Sequence, residues 1–118
     1  MRTFLSSQDH PYVRINAPGA KKEIEFDCLI DTGFAGGISI PEKLKPHFKF
    51  PLIGRRVWEL ADGSLVELEV YFGKVKEGTK KKEVSVIFTD GSEGLVGIEF
   101  LRGKKFILDL KKNAIQLS

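Results

Sequence analysis

The sequence contains very little sulfur and histidine: one cysteine, one methionine and two histidines in 118 residues. A single cysteine, Cys28, excludes an internal disulfide and fits a reducing, cytoplasmic location. His10, His47 and Cys28 are far apart in the sequence, whereas metal sites need clustered ligands at regular spacing. The sequence therefore predicts no metal site and no metal cofactor.

Long apolar runs are also missing. No segment approaches the length that spans a bilayer, so no membrane partner is expected. The first ten residues, MRTFLSSQDH, hold one arginine and no sustained apolar stretch, and a cleaved secretory signal is not expected. An apolar fraction of 42% and a charged fraction of 30% are typical of a soluble globular protein. The length fits a single domain covering residues 1–118.

Excess charge of one sign is small, with 19 Lys and Arg against 16 Asp and Glu. The lysines form clusters, and each cluster falls where a turn or loop is predicted: Lys21 and Lys22, Lys80 to Lys82, Lys104 and Lys105, Lys111 and Lys112. A nucleic-acid surface would need these clusters to converge on one face, with aromatic residues between them. No aromatic interleaving is present, so no nucleic-acid partner is predicted.

Long helical periodicity is nearly absent, and an apolar period of two dominates instead. In EIEFDCLI, alternate residues from Ile24 to Ile30 fall on one strand face and the acidic residues fall on the other. The pair Asp62-Gly63 is the strongest hairpin signal, and pairing Ala61 with Ser64 places Leu60 opposite Leu65. KEGTKKK predicts a second turn, after which Val84, Val86 and Phe88 supply one face of a returning strand.

The last third predicts a different local structure. GLVGIEFLRG is short and bounded by glycines, which indicates a buried strand end followed by one helical turn that ends at Gly103. Before it, Pro41 either stops the short strand ISI or starts a helical turn through Leu44. FILDL and AIQL are predicted strands joined at KKN. The fold class is therefore mostly β, with one or two short helices.

Only one segment carries a specific chemical signal. No nucleophile elbow and no glycine-rich phosphate loop are found. Asp31-Thr32-Gly33 follows an apolar strand, so its carboxylate is partly desolvated and has to be held by hydrogen bonds. Gly33 allows the backbone to turn sharply and bring amide groups toward the carboxylate, and Thr32 adds a hydroxyl that can tie the loop to a neighbour.

Three segments in this order resemble the retropepsin-like (retroviral-type) aspartic proteases. CLIDTGFAGGISI is similar to that family's Asp-Thr-Gly loop and the strand that follows it. LADGSLV falls where the family has its flap hairpin, and GLVGIEFLRGKKFILDLKKNAIQL is similar to its closing strand, short helix and terminal strands. The resemblance extends from about Tyr12 to Leu117, and the Phe in DTGF looks most like small stand-alone microbial members.

The resemblance implies a closed, barrel-like β domain that works as a homodimer and hydrolyses extended peptide segments without a cofactor. Asp31 would be the catalytic carboxylate, with one copy from each chain, and Thr32 and Gly33 would complete the active-site loop. Two carboxylates within hydrogen-bonding distance share one proton, so that one activates water while the other polarises the scissile carbonyl. The cleft and flap would bind substrate through Phe34, Ala35, Trp58, Leu60, Ala61, Asp62 and Gly63.

Several features distinguish the chain from the usual pattern and leave a second function open. Phe34 stands where Ala is usual, which makes the cleft floor narrower or more apolar, and Glu99 replaces the more common Asp or Asn. The hairpin tip has a single glycine, Gly63. The alternative function is a catalytically weak or silent domain that uses the same cleft and edges for peptide binding or dimerisation by strand addition. Trp58 either lines the cleft from the flap or serves as a packing residue, which is the more common role of a lone Trp in an alternating hairpin.

Overall fold

A computed structural model describes residues 2–77 and 79–118. Strands hold 56% of the residues, accompanied by two short helices, which confirms the mostly β prediction. The elements follow in the order β1 Thr3–Leu5, β2 Pro11–Ala17, β3 Ile24–Ile30, β4 Ile38–Pro41, a 3₁₀ helix Glu42–His47, β5 Leu52–Glu59, β6 Leu65–Glu77, β7 Lys80–Thr89, β8 Gly94–Val96, α1 Ile98–Leu101, β9 Phe106–Asp109 and β10 Ala114–Leu117. In the described part of the chain, neither helix has the length and apolar character needed to cross a membrane.

Eight strands form one sheet in the order β1-β2-β3-β8-β4-β7-β6-β5, and β9 and β10 form a separate pair. Most neighbours are antiparallel, but β3 runs parallel to β8 and β4 runs parallel to β7. One further pairing, between Asn16 and Lys76, joins β2 to β6 across the sheet order. The sheet therefore folds back so that its second and seventh strands meet.

The core lies on the inner face of this folded sheet, and β3 illustrates how the sequence dictates it. Cys28 and Ile30 are buried, whereas Glu25 and Asp27 on the alternate positions are exposed, as the period of two predicts. Most of the other buried apolar residues of the strands follow the same alternation: Val13, Ile15, Ala17, Ile38, Ile40, Val75, Val84, Val86, Phe88 and Val96. Ile87, between Val86 and Phe88, is an exception and is also buried. Phe100 of α1 closes one end of the core and is fully buried.

The β5–β6 hairpin forms where Asp62-Gly63 predicts it, but its predicted register is wrong by one residue. Trp58 lies opposite Val66 and Glu59 opposite Leu65. Leu60 donates its N–H to the carbonyl of Ser64 at 2.8 Å, so the loop holds three residues instead of two. Gly63 adopts φ +84° at the third position, the left-handed conformation of a three-residue hairpin loop. One extra loop residue changes which side chains face each other.

Other local predictions fare differently. The segment after Pro41 is a six-residue 3₁₀ helix that contains Pro46, longer than the predicted single turn through Leu44. The turn predicted at KEGTKKK is shorter than predicted, because β6 continues to Glu77 and β7 begins at Lys80. Gly78, within this turn, lies outside the described residues. The short helix after β8 is confirmed, and Gly103 follows it with φ +82°. The predicted terminal strands are confirmed as the antiparallel pair β9 and β10.

Candidate active-site loop

Asp31 lies immediately after β3, at the point where β3 runs beside β8. Ile30 is paired with Val96, and the N–H of Asp31 donates to the carbonyl of Val96 at 2.9 Å, which extends this parallel pairing by one residue. Ile30 and Val96 are buried, whereas Asp31 is half-buried. The apolar strand therefore places the Asp31 carboxylate at the edge of the core, and the hydrogen bond to Val96 fixes the backbone of Asp31.

The loop is folded around the Asp31 carboxylate. Gly33 donates its N–H to Oδ1 of Asp31 at 2.9 Å, and Phe34 donates its N–H to the backbone carbonyl of Asp31 at 3.1 Å. A Cβ on residue 33 would lie 3.2 Å from Oδ1 of Asp31. Gly33 is not among the residues with positive φ, so its role here is to leave room for the carboxylate and not to supply a left-handed turn.

The residues at the start of α1 hold the far side of the loop. Gly97, Ile98 and Glu99 donate their N–H groups to the carbonyls of Gly37, Phe34 and Gly36, at 2.9, 2.8 and 3.2 Å respectively. A Cβ on residue 97 would lie 2.3 Å from the carbonyl oxygen of Phe34 and 2.4 Å from that of Gly36. No side chain fits there, so Gly97 is required for the close approach of the two backbones.

Glu99 adds a second connection between α1 and the sheet. Its Oε1 accepts the N–H of Ser85 at 2.7 Å, and its Oε2 accepts the hydroxyl of Ser85 at 2.6 Å. Ser85 lies on β7, and its carbonyl oxygen would be 2.5 Å from a Cβ at Gly37. Glu99 therefore ties α1 to the strand against which the loop packs. Sequence reasoning identified Glu99 as an unusual residue but could not identify Ser85 as its partner.

Thr32 and Ala35 are exposed at the outer surface of this loop. Within the described chain, the Thr32 hydroxyl makes no hydrogen bond. The loop thus combines a half-buried Asp31 with an exposed threonine at the next position. A single chain supplies one such carboxylate.

The β5–β6 hairpin reaches the loop through one aromatic contact. The rings of Phe34 and Trp58 have centroids 5.7 Å apart at an interplanar angle of 42°. A Cβ on Gly36 would lie 2.9 Å from Cη2 of Trp58, and the Arg56 guanidinium lies 5.4 Å from the indole centroid. The structure therefore brings together two of the residues predicted to bind substrate, Phe34 and Trp58.

The indole N–H of Trp58 is buried and has no hydrogen-bond partner among the described residues. A buried donor without a partner costs about 1–3 kcal/mol. The contact between Trp58 and Phe34 is thus opposed by an unsatisfied donor in the same side chain. Nothing in the sequence reveals this feature, because it depends on the side chain's surroundings.

The remaining predicted hairpin residues, Leu60, Ala61, Asp62 and Gly63, are exposed at its tip. Oδ1 of Asp62 accepts the hydroxyl of Ser64 at 2.6 Å and the N–H of Ser64 at 2.9 Å. These two hydrogen bonds, the one from the hydroxyl first, lower the pKa of Asp62 from its usual range. The tip is therefore closed by hydrogen bonds between its own residues.

A cleft of about 440 Å³ lies elsewhere, between the 3₁₀ helix and the β5–β6 hairpin. Lys45 is 3.8 Å from a carboxylate oxygen of Glu69, and its Nζ lies 5.1 Å from the ring centroid of Tyr71. Asp31, Phe34 and Trp58 do not line this cleft. Two ion pairs lie along its walls, Lys45 with Glu69 and Arg55 with Glu67.

Other chemistry finds little support in the described residues. No three His, Cys, Asp or Glu side chains in residues 2–77 and 79–118 come together in a way that could hold a metal ion. Cys28 is fully buried, and desolvation raises the pKa of its thiol far above the usual range, so it is not a thiolate nucleophile. Its sulfur fills the space beside Gly94, where a Cβ would lie only 2.9 Å away.

Comparison with protein-family models and with curated proteins finds no match to this chain. The functional conclusion therefore depends on the arrangement of the loop itself.

Proposed function

We propose that the chain is a retropepsin-like aspartic endopeptidase that acts as a homodimer on extended peptide segments. The observation that carries this proposal is the Asp31 loop. Its carboxylate is half-buried at the end of an apolar strand, accepts the N–H of Gly33 at 2.9 Å, and stands on a backbone fixed by α1. Such a carboxylate is positioned before substrate arrives, which favours general acid–base catalysis.

Two copies of the loop are needed for this chemistry. In the dimer, one Asp31 carboxylate takes a proton from a bound water, and the protonated carboxyl of the partner chain polarises the scissile carbonyl. The two exposed Thr32 hydroxyls brace the facing loops, which gives a role to a polar group without a partner in the single chain. The pairing of Asn16 with Lys76, which joins β2 to β6, supports a closed, barrel-like domain.

Dimerisation is proposed to occur largely through the terminal strands. β1 is an edge of the main sheet, and β10 has β9 as its only strand partner among the described residues. Phe4, Ile107 and Leu108 are between 37% and 39% exposed, so a dimer would cover apolar surface here. Sedimentation at micromolar concentration should give twice the chain mass. A strictly monomeric protein that cleaves peptides would contradict the proposed dimer.

The decisive experiment incubates the pure protein with a diverse peptide mixture from acid to neutral pH, with and without a pepsin-type transition-state inhibitor. Cleavage should be abolished by the inhibitor and by Asp31→Asn, because Asn keeps the size of the side chain but cannot carry the shared proton. Asp90→Asn is the matched control, since Asp90 is exposed and follows Thr89, which pairs with Pro41 at the end of β4 away from the Asp31 loop. Full cleavage by Asp31→Asn would exclude Asp31 as the catalytic group.

A second candidate function is peptide binding without catalysis, by addition of a strand to β5. This strand is the other edge of the main sheet, and Leu52, Ile53 and Val57 on it are 55%, 59% and 57% exposed. Peptides that bind equally well to wild type and Asp31→Asn, with no cleavage under any condition, would favour this function. The reducing, cytoplasmic location predicted from the single cysteine is compatible with both functions.

A further inference from the structure

A basic groove of about 360 Å³ lies at the seam where β2 meets β6, away from the Asp31 loop. Its polar lining consists of four lysines, one glutamate and one asparagine: Asn16, Lys22, Glu23, Lys74, Lys76 and Lys81. The groove borders Ala17, which pairs with Ile24 at the start of β3, whereas Asp31 follows the end of β3. The seven residues of β3 separate the two places by about 20 Å.

The lysines are brought together from three separate parts of the chain. Lys22 comes from the loop between β2 and β3, Lys74 and Lys76 from β6, and Lys81 from β7. In the sequence, Lys22 and Lys81 belong to two separate clusters that were expected on turns, and Lys74 and Lys76 belong to neither, so a shared groove was not foreseen. The convergence required of an anion-binding surface is therefore present here.

Lys76 and Lys81 are directly opposite each other on neighbouring antiparallel strands. Like charges in this position destabilise a sheet, whereas a glutamate at either position would stabilise it. Glu23, the one acidic residue in the described lining of the groove, does not remove the conflict. It lies 2.8 Å from Lys76 and leaves Lys81 without an ion pair among the described residues. Lys22 likewise has no ion pair there, and Lys74 has only a loose contact of 3.9 Å with Glu83.

The wall that carries Lys22 is fixed in place. Ala20 donates its N–H to the carbonyl of His47 at 2.9 Å, and Gly19 is bridged to Phe48. A Cβ on Gly19 would lie 2.2 Å from the carbonyl oxygen of Lys22, so this loop is folded tightly upon itself. The groove is consequently a concave feature of the folded backbone and not a chance meeting of mobile side chains.

We propose that this groove binds a small, multiply charged phosphate anion. Lysine ammonium groups are compact donors that bind phosphate oxygens, and several of them are needed to balance the charge of a linked di- or triphosphate. The volume suits a small molecule. Among the described residues that line the groove, none is aromatic, so they offer a nucleoside base no stacking surface. Inorganic tripolyphosphate should therefore bind as tightly as a nucleoside triphosphate.

The test titrates the intact protein with sodium tripolyphosphate in low-salt buffer by isothermal calorimetry. Lys81→Glu should weaken binding by about tenfold or more, because it replaces an attractive charge with a repulsive one. The same variant should raise the melting temperature by about 2 °C, since the new carboxylate can pair with Lys76 across the strands. Lys81→Gln removes the charge with little other change and should weaken binding to a smaller extent.

Lys112→Glu is the matched control, because it makes the same charge change in the exposed turn between β9 and β10, outside the groove. It should change the affinity less than about twofold, since salt screens distant charges. Equal losses in Lys81→Glu and Lys112→Glu would overturn the proposal, as would no measurable binding to the wild type. A nucleoside triphosphate or a single-stranded oligonucleotide that binds much more tightly than tripolyphosphate would also overturn it, by pointing to a nucleic-acid surface.

Discussion

The Asp31 loop and the β5–β6 hairpin touch each other, yet they are held in opposite ways. The loop is fixed by three backbone hydrogen bonds from residues 97–99, at a place where no Cβ fits. The hairpin tip is exposed, and a Cβ on Gly63 would have no neighbour within 4 Å. The loop can keep a reactive group in one position, whereas the hairpin can move without disturbing the core.

The contact between the two regions is weak enough to open. The Phe34–Trp58 ring pair contributes about 0.5–1.5 kcal/mol beyond its buried area, and the unpartnered indole N–H opposes it by a similar amount. Movement of the hairpin away from the loop would give this N–H access to water or to a carbonyl of a bound peptide. The proposed enzyme would thus combine a rigid carboxylate with a movable cover.

The largest expected effect comes from Gly97→Ala in the loop's support. The new methyl group would lie 2.3 and 2.4 Å from two carbonyl oxygens, so the loop and α1 have to separate. We expect a loss of about 3 kcal/mol in the free energy of unfolding, measured by urea denaturation. Any peptide cleavage should disappear with it.

Gly91→Ala is the control for this substitution. Residue 91 also lies in a loop, but its Cβ would meet only the hydroxyl oxygen of Thr89, at 3.3 Å. It should change stability by less than about 1 kcal/mol. If Gly97→Ala and Gly91→Ala are equally stable, the backbone contact at Gly97 does not hold the Asp31 loop in place.

The structure of the Asp31 loop was predictable from the sequence where it depends on residues close together in the chain. The alternation around Cys28 predicted a buried strand that ends just before Asp31. The structure confirms the strand and the position of Asp31 at its end. The roles of Gly97 and of the Ser85–Glu99 hydrogen bonds were not predictable, because they join residues far apart in the chain. The parallel pairing of β3 with β8 belongs to the same class of long-range contact.

For the β5–β6 hairpin, the sequence predicted the position of the turn but not the number of residues in it. Asp62-Gly63 located the turn correctly, but two-residue and three-residue loops both use a glycine with positive φ. In the structure Gly63 occupies the last position of a three-residue loop, and the register is shifted by one from the prediction. Convergence of the lysines at the β2–β6 seam was also hidden, since it arises from a single long-range pairing.

A second prediction concerns Cys28, which lies beneath the loop. Burial raises the pKa of its thiol, so the folded chain retains this proton at a pH where the unfolded chain has lost it. Stability from this group is fully present below about pH 8.5 and decreases as pH rises toward the folded pKa, by about 2 kcal/mol at pH 10. Urea denaturation at pH 8 and pH 10 measures this decrease.

Cys28→Ala should be less stable at pH 8, because it leaves a cavity, but should lose less stability between pH 8 and pH 10. Tyrosine and lysine titration is common to both proteins and cancels in the comparison. If both proteins lose the same stability over this range, the thiol is accessible to water and the strand below Asp31 is not rigid.

A third, smaller effect is expected at the hairpin tip from Gly63→Val. Valine disfavours the left-handed φ of +84°, with a cost of about 1–2 kcal/mol. The strain should act on the hairpin and not on the core. Trp58 is the only tryptophan, so its fluorescence reports where the hairpin lies.

We expect Gly63→Val to alter the emission of Trp58 and its quenching by iodide, and to lower the free energy of unfolding by no more than about 1–2 kcal/mol. Gly63→Asn is the matched control, since Asn tolerates positive φ. Unchanged emission together with unchanged cleavage would show that the tip conformation does not control the position of Trp58 over Phe34.

The smallest predicted effect is the pH response of the tip, through Asp62. Hydrogen bonds from the Ser64 hydroxyl and then from the Ser64 N–H lower the pKa of Asp62. A lowered pKa means that this contribution to stability is present above about pH 4, the usual value for Asp, and is lost as pH falls through the lower, folded value. Ser64→Ala removes the hydroxyl, the larger cause, and should raise the pKa of Asp62 toward the usual value. Ser92→Ala, in another exposed loop, should leave it unchanged. An NMR titration of the Asp62 carboxyl in the three proteins measures this directly, and an identical titration in Ser64→Ala and wild type would mean that the tip is open in solution and not closed by its own side chains.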